Sequence, residues 1–305
     1  MVKDKFHNNK GKYCGIVPPI ITPLLEDESL DEQAYTKLIN YCIDNGVHGI
    51  FAMGSSGEVM NVTRKVWQKA VEVALQTAAG RVPVFIGAID SCTKRVIENI
   101  KELEQLGAQI VVATPAFYQQ NSCQSEIIRH FEQICRSTNL EVVVYNIPPM
   151  THVNILPETI LEIAKFDNVV AYKDSCANWE QFQRNLFLLE DTNLSIFNGA
   201  EELCAASLIF GAEGCVPGLA TFFPKLFIDL YNAALAQDVR QVYELQKQVW
   251  DLRKVLFVGK SWMSAMKYIA QKMNLGSDKV SSPIEPLTAA ERSRIDEIIK
   301  NYKSR

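Results

Sequence analysis

Short apolar runs alternate with longer amphipathic ones along the chain. The apolar runs are GIVPPIIT from Gly15, VHGIFAM from Val47, VPVFIGA from Val82, AQIVVAT from Ala108, EVVVYNI from Glu141, NVVAYKD from Asn168, LSIFNG from Leu194 and EGCVPG from Glu213, eight in all. They are rich in Val and Ile and mostly lack polar alternation, the pattern of parallel strands buried on both faces. Between them, apolar positions recur at helical spacing. The segment 31–44 carries Ala34, Leu38, Ile39 and Cys42 close to one face. Thr63 is an N-cap for a helix over 63–79, and the segment 93–106 runs into Gly107, a residue suited to the position after a helix end. Further helices are predicted over 125–137, 157–165, 178–190 and 201–210.

Eight β-α units with short links predict an α/β fold, a (β/α)8 TIM barrel. An open doubly wound sheet is the competing arrangement, and the lack of a G-x-G-x-x-G turn weighs little against it. After about Pro224 the strands stop, and helices are predicted over 227–236, 239–257, 262–273 and 289–302. The expected division is an N-terminal tail over 1–14, the barrel over 15–236 and a C-terminal helical extension over 237–305. A length of 305 residues suits this, since a barrel takes about 250.

Charge and composition remove several function classes. The formal net charge is -4 with no basic run, so no nucleic-acid partner is expected. No apolar run approaches the ~20 residues that span a membrane, and the opening MVKDKFHNNKGKY is polar. The eight cysteines form no C-x-x-C pair, and His7, His48, His130 and His152 show no metal-ligand spacing. Reduced thiols in a cytoplasmic protein without a metal site are the expectation.

In a barrel, chemistry gathers at the C-terminal ends of the strands. The second run ends in Gly54-Ser55-Ser56-Gly57-Glu58, whose small residues allow a tight turn with exposed N–H groups. Such a turn can cradle a carboxylate or phosphate, or can be a plain tight loop. The fifth ends in Tyr145-Asn146-Ile147-Pro148-Pro149, where the tyrosine either moves protons at the barrel mouth or fills the core. The sixth ends in Ala171-Tyr172-Lys173-Asp174. An amine led in by VVAY is either desolvated, hence a nucleophile toward carbonyls, or turned to water at the rim. The fourth run ends at Thr114-Pro115-Ala116-Phe117-Tyr118. After the seventh, Glu201 and Glu202 can hold substrate hydroxyls or simply start a helix.

Taken together, GSSGE, YNIP and the lysine, in this order on these strands, resemble the dihydrodipicolinate synthase / N-acetylneuraminate lyase family of class I pyruvate aldolases. The resemblance runs from Gly15 to the C-terminal helices. It implies an imine between Lys173 and the keto carbon of a 2-oxo acid such as pyruvate, with no cofactor. It implies Tyr145 as the proton-shuttling tyrosine and Ser55 as its relay. Tyr118 would be the second relay tyrosine, donated across a subunit interface in a homotetramer. It further implies the Ser55 and Ser56 N–H groups as the pyruvate carboxylate site, and the Val216 carbonyl near the lysine.

The position after YNIPP separates branches of the family. Where the dihydrodipicolinate synthases carry an arginine that grips the aldehyde's carboxylate, this chain has Met150. Loss of such a contact costs roughly 2–4 kcal/mol. Glu201 and Glu202 match the sugar-holding acidic pair of the N-acetylneuraminate lyases, and Ser175 matches a substrate-facing threonine, but Gly218 replaces their serine. His152 stands where many members have glycine, either touching the second substrate or tolerated at the rim. The expected substrate is a hydroxylated 2-oxo acid, of the 2-keto-3-deoxy sugar acid or N-acetylneuraminate type, made from or split into pyruvate and an aldehyde. The alternatives are 4-hydroxy-tetrahydrodipicolinate synthesis, an imine-dependent dehydratase, and a ligand-binding barrel without catalysis.

Overall fold

Each apolar run contributes a strand to one eight-stranded parallel sheet. The computed structural model describes residues 11–119 and 123–303. The strands are β1 (Gly15–Ile16), β2 (Ile50–Ala52), β3 (Val84–Gly87), β4 (Ile110–Ala113), β5 (Glu141–Asn146), β6 (Val169–Asp174), β7 (Ser195–Asn198) and β8 (Gly214–Cys215). Sequential strands pair from β2 to β8, and β8 returns to β1. Helices α1 (Glu32–Asp44), α2 (Arg64–Ala78), α3 (Thr93–Gln105), α4 (Gln124–Ser137), the single turn α5 (Pro148–Thr151), α6 (Pro157–Ile163), α7 (Trp179–Leu188), α8 (Cys204–Ile209) and α9 (Pro224–Leu235) follow the strands. The chain then runs through α10 (Val239–Arg253), α11 (Trp262–Lys272) and α12 (Ala289–Lys303).

The first strand is shorter than its apolar run. Pro18 and Pro19 lack the N–H that a ladder needs, so regular pairing stops at Ile16. The seam between β1 and β2 is closed by what remains: Phe51 N–H donates to the Pro18 carbonyl at 2.9 Å, and Ile20 N–H donates to the Phe51 carbonyl at 2.8 Å. The Thr63 cap read from sequence is made, accepting from Val66 N–H at 3.4 Å. Asp31 caps α1 in the same way, accepting from Ala34 N–H at 2.9 Å.

Strand periodicity sorts the side chains into two cores. Val142 and Val144 of β5 face the helices, whereas Val143 and Tyr145 join Phe51, Phe85, Val112, Ala171, Phe197 and Val216 inside the barrel. Successive side chains of a strand alternate faces. On β6 Tyr172 therefore points to the helices, and Lys173, two residues beyond Ala171, points inward. Lys173 lies in register with Tyr145 on one side and Phe197 on the other.

Candidate active site

Lys173 is buried, 5% exposed, in the throat formed by these inward residues. Its Nζ sits 3.9 Å from the centroid of the Tyr145 ring and 4.7 Å from that of Phe51. The space beside it is a void of about 20 Å³ lined by Val216, Phe197, Phe51 and the valines beneath. That is room for about one water. Among the described residues no hydrogen bond or ion pair engages the amine; the Glu201 carboxylate acts on it only at a distance. Burial drives its pKa down from the usual lysine value to about 7, with Glu201 pulling the other way. Part of the population is therefore a neutral amine at physiological pH.

Tyr145 lies against this amine, and the Ser55 and Ser175 side chains stand close enough to its hydroxyl to act on it. Burial raises the phenol to about 12, and the two serines oppose that rise. Ser55 and Ser56 sit in the turn after β2, where Gly57 N–H donates to the Gly54 carbonyl at 3.0 Å and Glu58 N–H to the Ser55 carbonyl at 3.1 Å. Among the described residues neither the Ser55 nor the Ser56 N–H is spent on a backbone partner, so both remain open to an anion. The turn is pinned from behind: the Thr22 hydroxyl donates to the Gly57 carbonyl at 2.7 Å, and Glu58 forms a fully buried ion pair with Lys267 of α11 at 2.7 Å.

From Ser55 a second, wider pocket of about 250 Å³ opens toward solvent, bordered by Thr114, Ile147, Met150 and Trp262. Met150 is at its rim, 49% exposed. His152 follows two residues later in a left-handed conformation, φ 55°, as the C-cap of α5, and does not line the pocket.

The acidic pair splits. Glu201 is buried, accepts from Leu219 N–H at 3.3 Å, and its carboxyl pKa is raised by burial. Gly218 leaves it room, since a Cβ there would come 3.3 Å from its Oε1. Glu202 turns away and pairs with Arg253 of α10 at 2.7 Å. Tyr118 is 91% exposed, with φ 75°, and does not reach the site of its own chain. The structure thus gathers Lys173, Tyr145, Ser55, Ser56, Ser175, Val216 and Glu201, puts Met150 at the outer pocket, and leaves Tyr118 outside. Among the described residues no group of three His, Cys, Asp or Glu side chains is arranged to hold a metal ion.

Two supports were invisible as motifs. Asp174, just beyond the lysine, is buried and accepts from Asn146 at 3.2 Å, Tyr172 at 3.2 Å, Asn185 at 3.3 Å and Cys176 N–H at 2.8 Å. This ties the ends of β5 and β6 together and so fixes Tyr145 against Lys173. Gly199 is required by close approach: a Cβ there would fall 1.9 Å from Ser175 Oγ and 3.1 Å from Lys173 Cε. The only sequence hints are the polar residues directly beyond Tyr145 and Lys173 and the glycine ending FNG.

Comparison with known proteins agrees with this arrangement. The model of the dihydrodipicolinate synthetase family matches residues 12–302. The 4-hydroxy-tetrahydrodipicolinate synthase of Methanocaldococcus jannaschii is 31% identical over 247 residues, covering 81% of this chain and 84% of the relative. That of Ehrlichia canis is 27% identical over 296 residues, covering 96% and 98%. Among solved structures, the dihydrodipicolinate synthase of Bacteroides thetaiotaomicron superposes with a TM-score of 0.91 at 32% identity, covering 95% of this chain and 99% of its own. A TIM barrel with a lysine, a tyrosine and a serine turn converging in its throat, matched to that family over nearly its whole length, makes this chain a member of the dihydrodipicolinate synthetase family, the pyruvate-dependent Schiff-base lyases.

Proposed function

We propose that the enzyme joins pyruvate to an aldehyde, or cleaves the resulting 4-hydroxy-2-oxo acid, through an imine on Lys173. The observation that carries this is the desolvated Lys173 amine, near neutral pKa, lying on the ring of Tyr145. The neutral Nζ adds to the keto carbon of pyruvate, and the carbinolamine oxygen, protonated by way of Tyr145, leaves as water to give a protonated imine. That cation accepts the electron pair as a C3 proton leaves by way of Tyr145, giving an enamine. The enamine C3 attacks the aldehyde carbon, the carbonyl electron pair moves to oxygen, and Tyr145 returns a proton there. Water then hydrolyses the imine. The open N–H groups of Ser55 and Ser56 hold the carboxylate, Ser55 passes protons to and from Tyr145, Ser175 holds the phenol from the other side, and the Val216 carbonyl faces the imine.

A hydroxylated 2-oxo acid remains the substrate class, and Glu201 is the acidic group left to take a hydroxyl. The engagement of Glu202 by Arg253 weakens the sugar-acid and N-acetylneuraminate versions, which use a pair. The second reading is 4-hydroxy-tetrahydrodipicolinate synthesis, and the names of the relatives favour it over the first. Met150, uncharged at the pocket rim, is what speaks against it. Tyr118, projecting into solvent, supports a homotetramer in which each active site borrows this residue from a neighbour. The eight cysteines, all free, fit a reducing cytoplasm.

Borohydride reduction in the presence of pyruvate, followed by peptide mass spectrometry, tests the central step. A reduced pyruvate adduct on the Lys173 peptide, absent in Lys173→Ala, is the expected result. An unmodified Lys173 would move the binding-protein reading ahead.

A further inference from the structure

The pocket that opens from Ser55 is the space for a second substrate, because Ser55 neighbours the Tyr145 hydroxyl and Tyr145 lies on Lys173. Its lining is mostly apolar, chiefly Met60, Ile89, Phe117, Ile147, Met150 and Trp262, with the polar side chains of Ser55, Asn61, Thr114 and Thr151 among them. Among the described residues no lysine or arginine lines it. Its one charged wall group, Glu58, is already committed to Lys267 and to Ser281, whose N–H donates at 3.0 Å. A carboxylate entering here would face a carboxylate and find no cation. A polyhydroxylated chain would surrender water to the apolar walls and find few polar partners in return. Inside the pocket Thr114 is buried with an Oγ1 that has no hydrogen-bond partner among the described residues, and Asn61 stands exposed at its edge.

Trp262 is the wall residue that the barrel does not supply. It begins α11, where the Ser261 hydroxyl accepts from Met263 N–H at 3.2 Å. Five residues later the same helix carries Lys267, fixed by Glu58 and by the carbonyls of Thr22 and Lys279 at 2.6 and 2.9 Å. The indole is therefore held over the pocket by a helix bolted to the turn that carries Ser55. Met60 and Met150 at the rim add flexible thioethers that adapt to an apolar guest.

We propose that the aldehyde carries an uncharged, apolar substituent, aromatic or branched aliphatic, with at most one polar atom, and that Trp262 is the residue that selects it. This rests on the aldolase reading above. The chemistry is the same addition of the enamine C3 to the aldehyde carbon; only the group attached to that carbon is specified.

The test uses the full-length enzyme with pyruvate and three aldehydes in parallel: benzaldehyde, aspartate semialdehyde and glyceraldehyde. The expected result is a kcat/KM for benzaldehyde at least about tenfold above the other two, as pocket discrimination of this kind commonly gives. Trp262→Ala should lower the benzaldehyde value on the order of tenfold, through KM more than kcat. Trp262→Leu should act in the same direction if the alanine variant does not fold. Met150→Arg should move the preference toward aspartate semialdehyde. Preference for either polar aldehyde, no turnover of benzaldehyde, or indifference to loss of the indole would overturn the proposal. Borohydride trapping on the same preparations separates the two levels: an adduct at Lys173 with the wrong aldehyde preference sinks only this inference, whereas no adduct sinks the aldolase reading with it.

Discussion

Among the described residues two lysines are buried, and they are buried in opposite ways. Lys267 is 0% exposed; it pairs with the Glu58 carboxylate at 2.7 Å and donates to the Thr22 carbonyl at 2.6 Å and the Lys279 carbonyl at 2.9 Å. Lys173 has aromatic faces and an empty space. Desolvation presses both amines toward the neutral form, but at Lys267 the adjacent carboxylate resists it. A satisfied ammonium is a structural rivet. A starved amine is a nucleophile held ready by the cost of keeping it charged.

The sharpest way to break this contrast is to replace each lysine by methionine and measure unfolding in denaturant. Lys267→Met strands Glu58 as a buried carboxylate without its cation, and should destabilise by about 3–5 kcal/mol. Adding Glu58→Gln should restore part of that loss. Lys173→Met should do the reverse. A lysine whose folded pKa is depressed penalises folding at every pH below its unfolded value near 10.4, because the unfolded chain can bind a proton that the folded site refuses. Removing it should stabilise by roughly 2–4 kcal/mol near neutral pH. The gain should fade as pH climbs toward 10. Destabilisation by Lys173→Met would mean that the amine is better solvated than its burial suggests.

Next in size is Tyr145→Phe, which keeps the ring under the amine and deletes the proton carrier. Its kcat should fall about a hundredfold to ten-thousandfold while borohydride trapping of pyruvate persists. The smallest effect is a displacement along the pH axis. Activity should rise with pH through about 7, where Lys173 becomes neutral, while Tyr145 keeps its proton up to about 12. The Glu201 carboxylate favours the ammonium, so Glu201→Gln should move the acid limb to lower pH. A limb that stays put would show that Glu201 is already protonated in the working range, the direction in which burial pushes it.

The sequence makes the buried, inward-facing lysine legible because its cause is local. Alternation along VVAYK aims Lys173 to the same side as Ala171, and the strand end places it at the mouth. The same holds for Tyr145 and for the turn around Ser55. Pairings between distant segments are not local. Glu201 and Glu202 are identical neighbours on paper, and only the arrival of Arg253 from α10 distinguishes them. Lys267 and Trp262 sit in an ordinary amphipathic helix pattern, with nothing to show that one grips Glu58 and the other closes a pocket. The truncated β1 was legible in principle, since Pro18-Pro19 forbids the ladder that the apolar run suggests.

The clamp between Glu58 and Lys267 also orders events during synthesis. The turn bearing Ser55 leaves the ribosome early, but the cation that pins its glutamate is 209 positions further on (267 minus 58). At about 5–20 residues per second, that interval lasts roughly 10–40 seconds. Throughout it the Glu58 carboxylate lacks this counter-ion, even after β8 (Gly214–Cys215) has been made, so the turn bearing Ser55 is fastened only when translation is nearly finished. A truncated product lacking α11 would retain every residue assigned to the imine chemistry and still hold them on an unfastened loop.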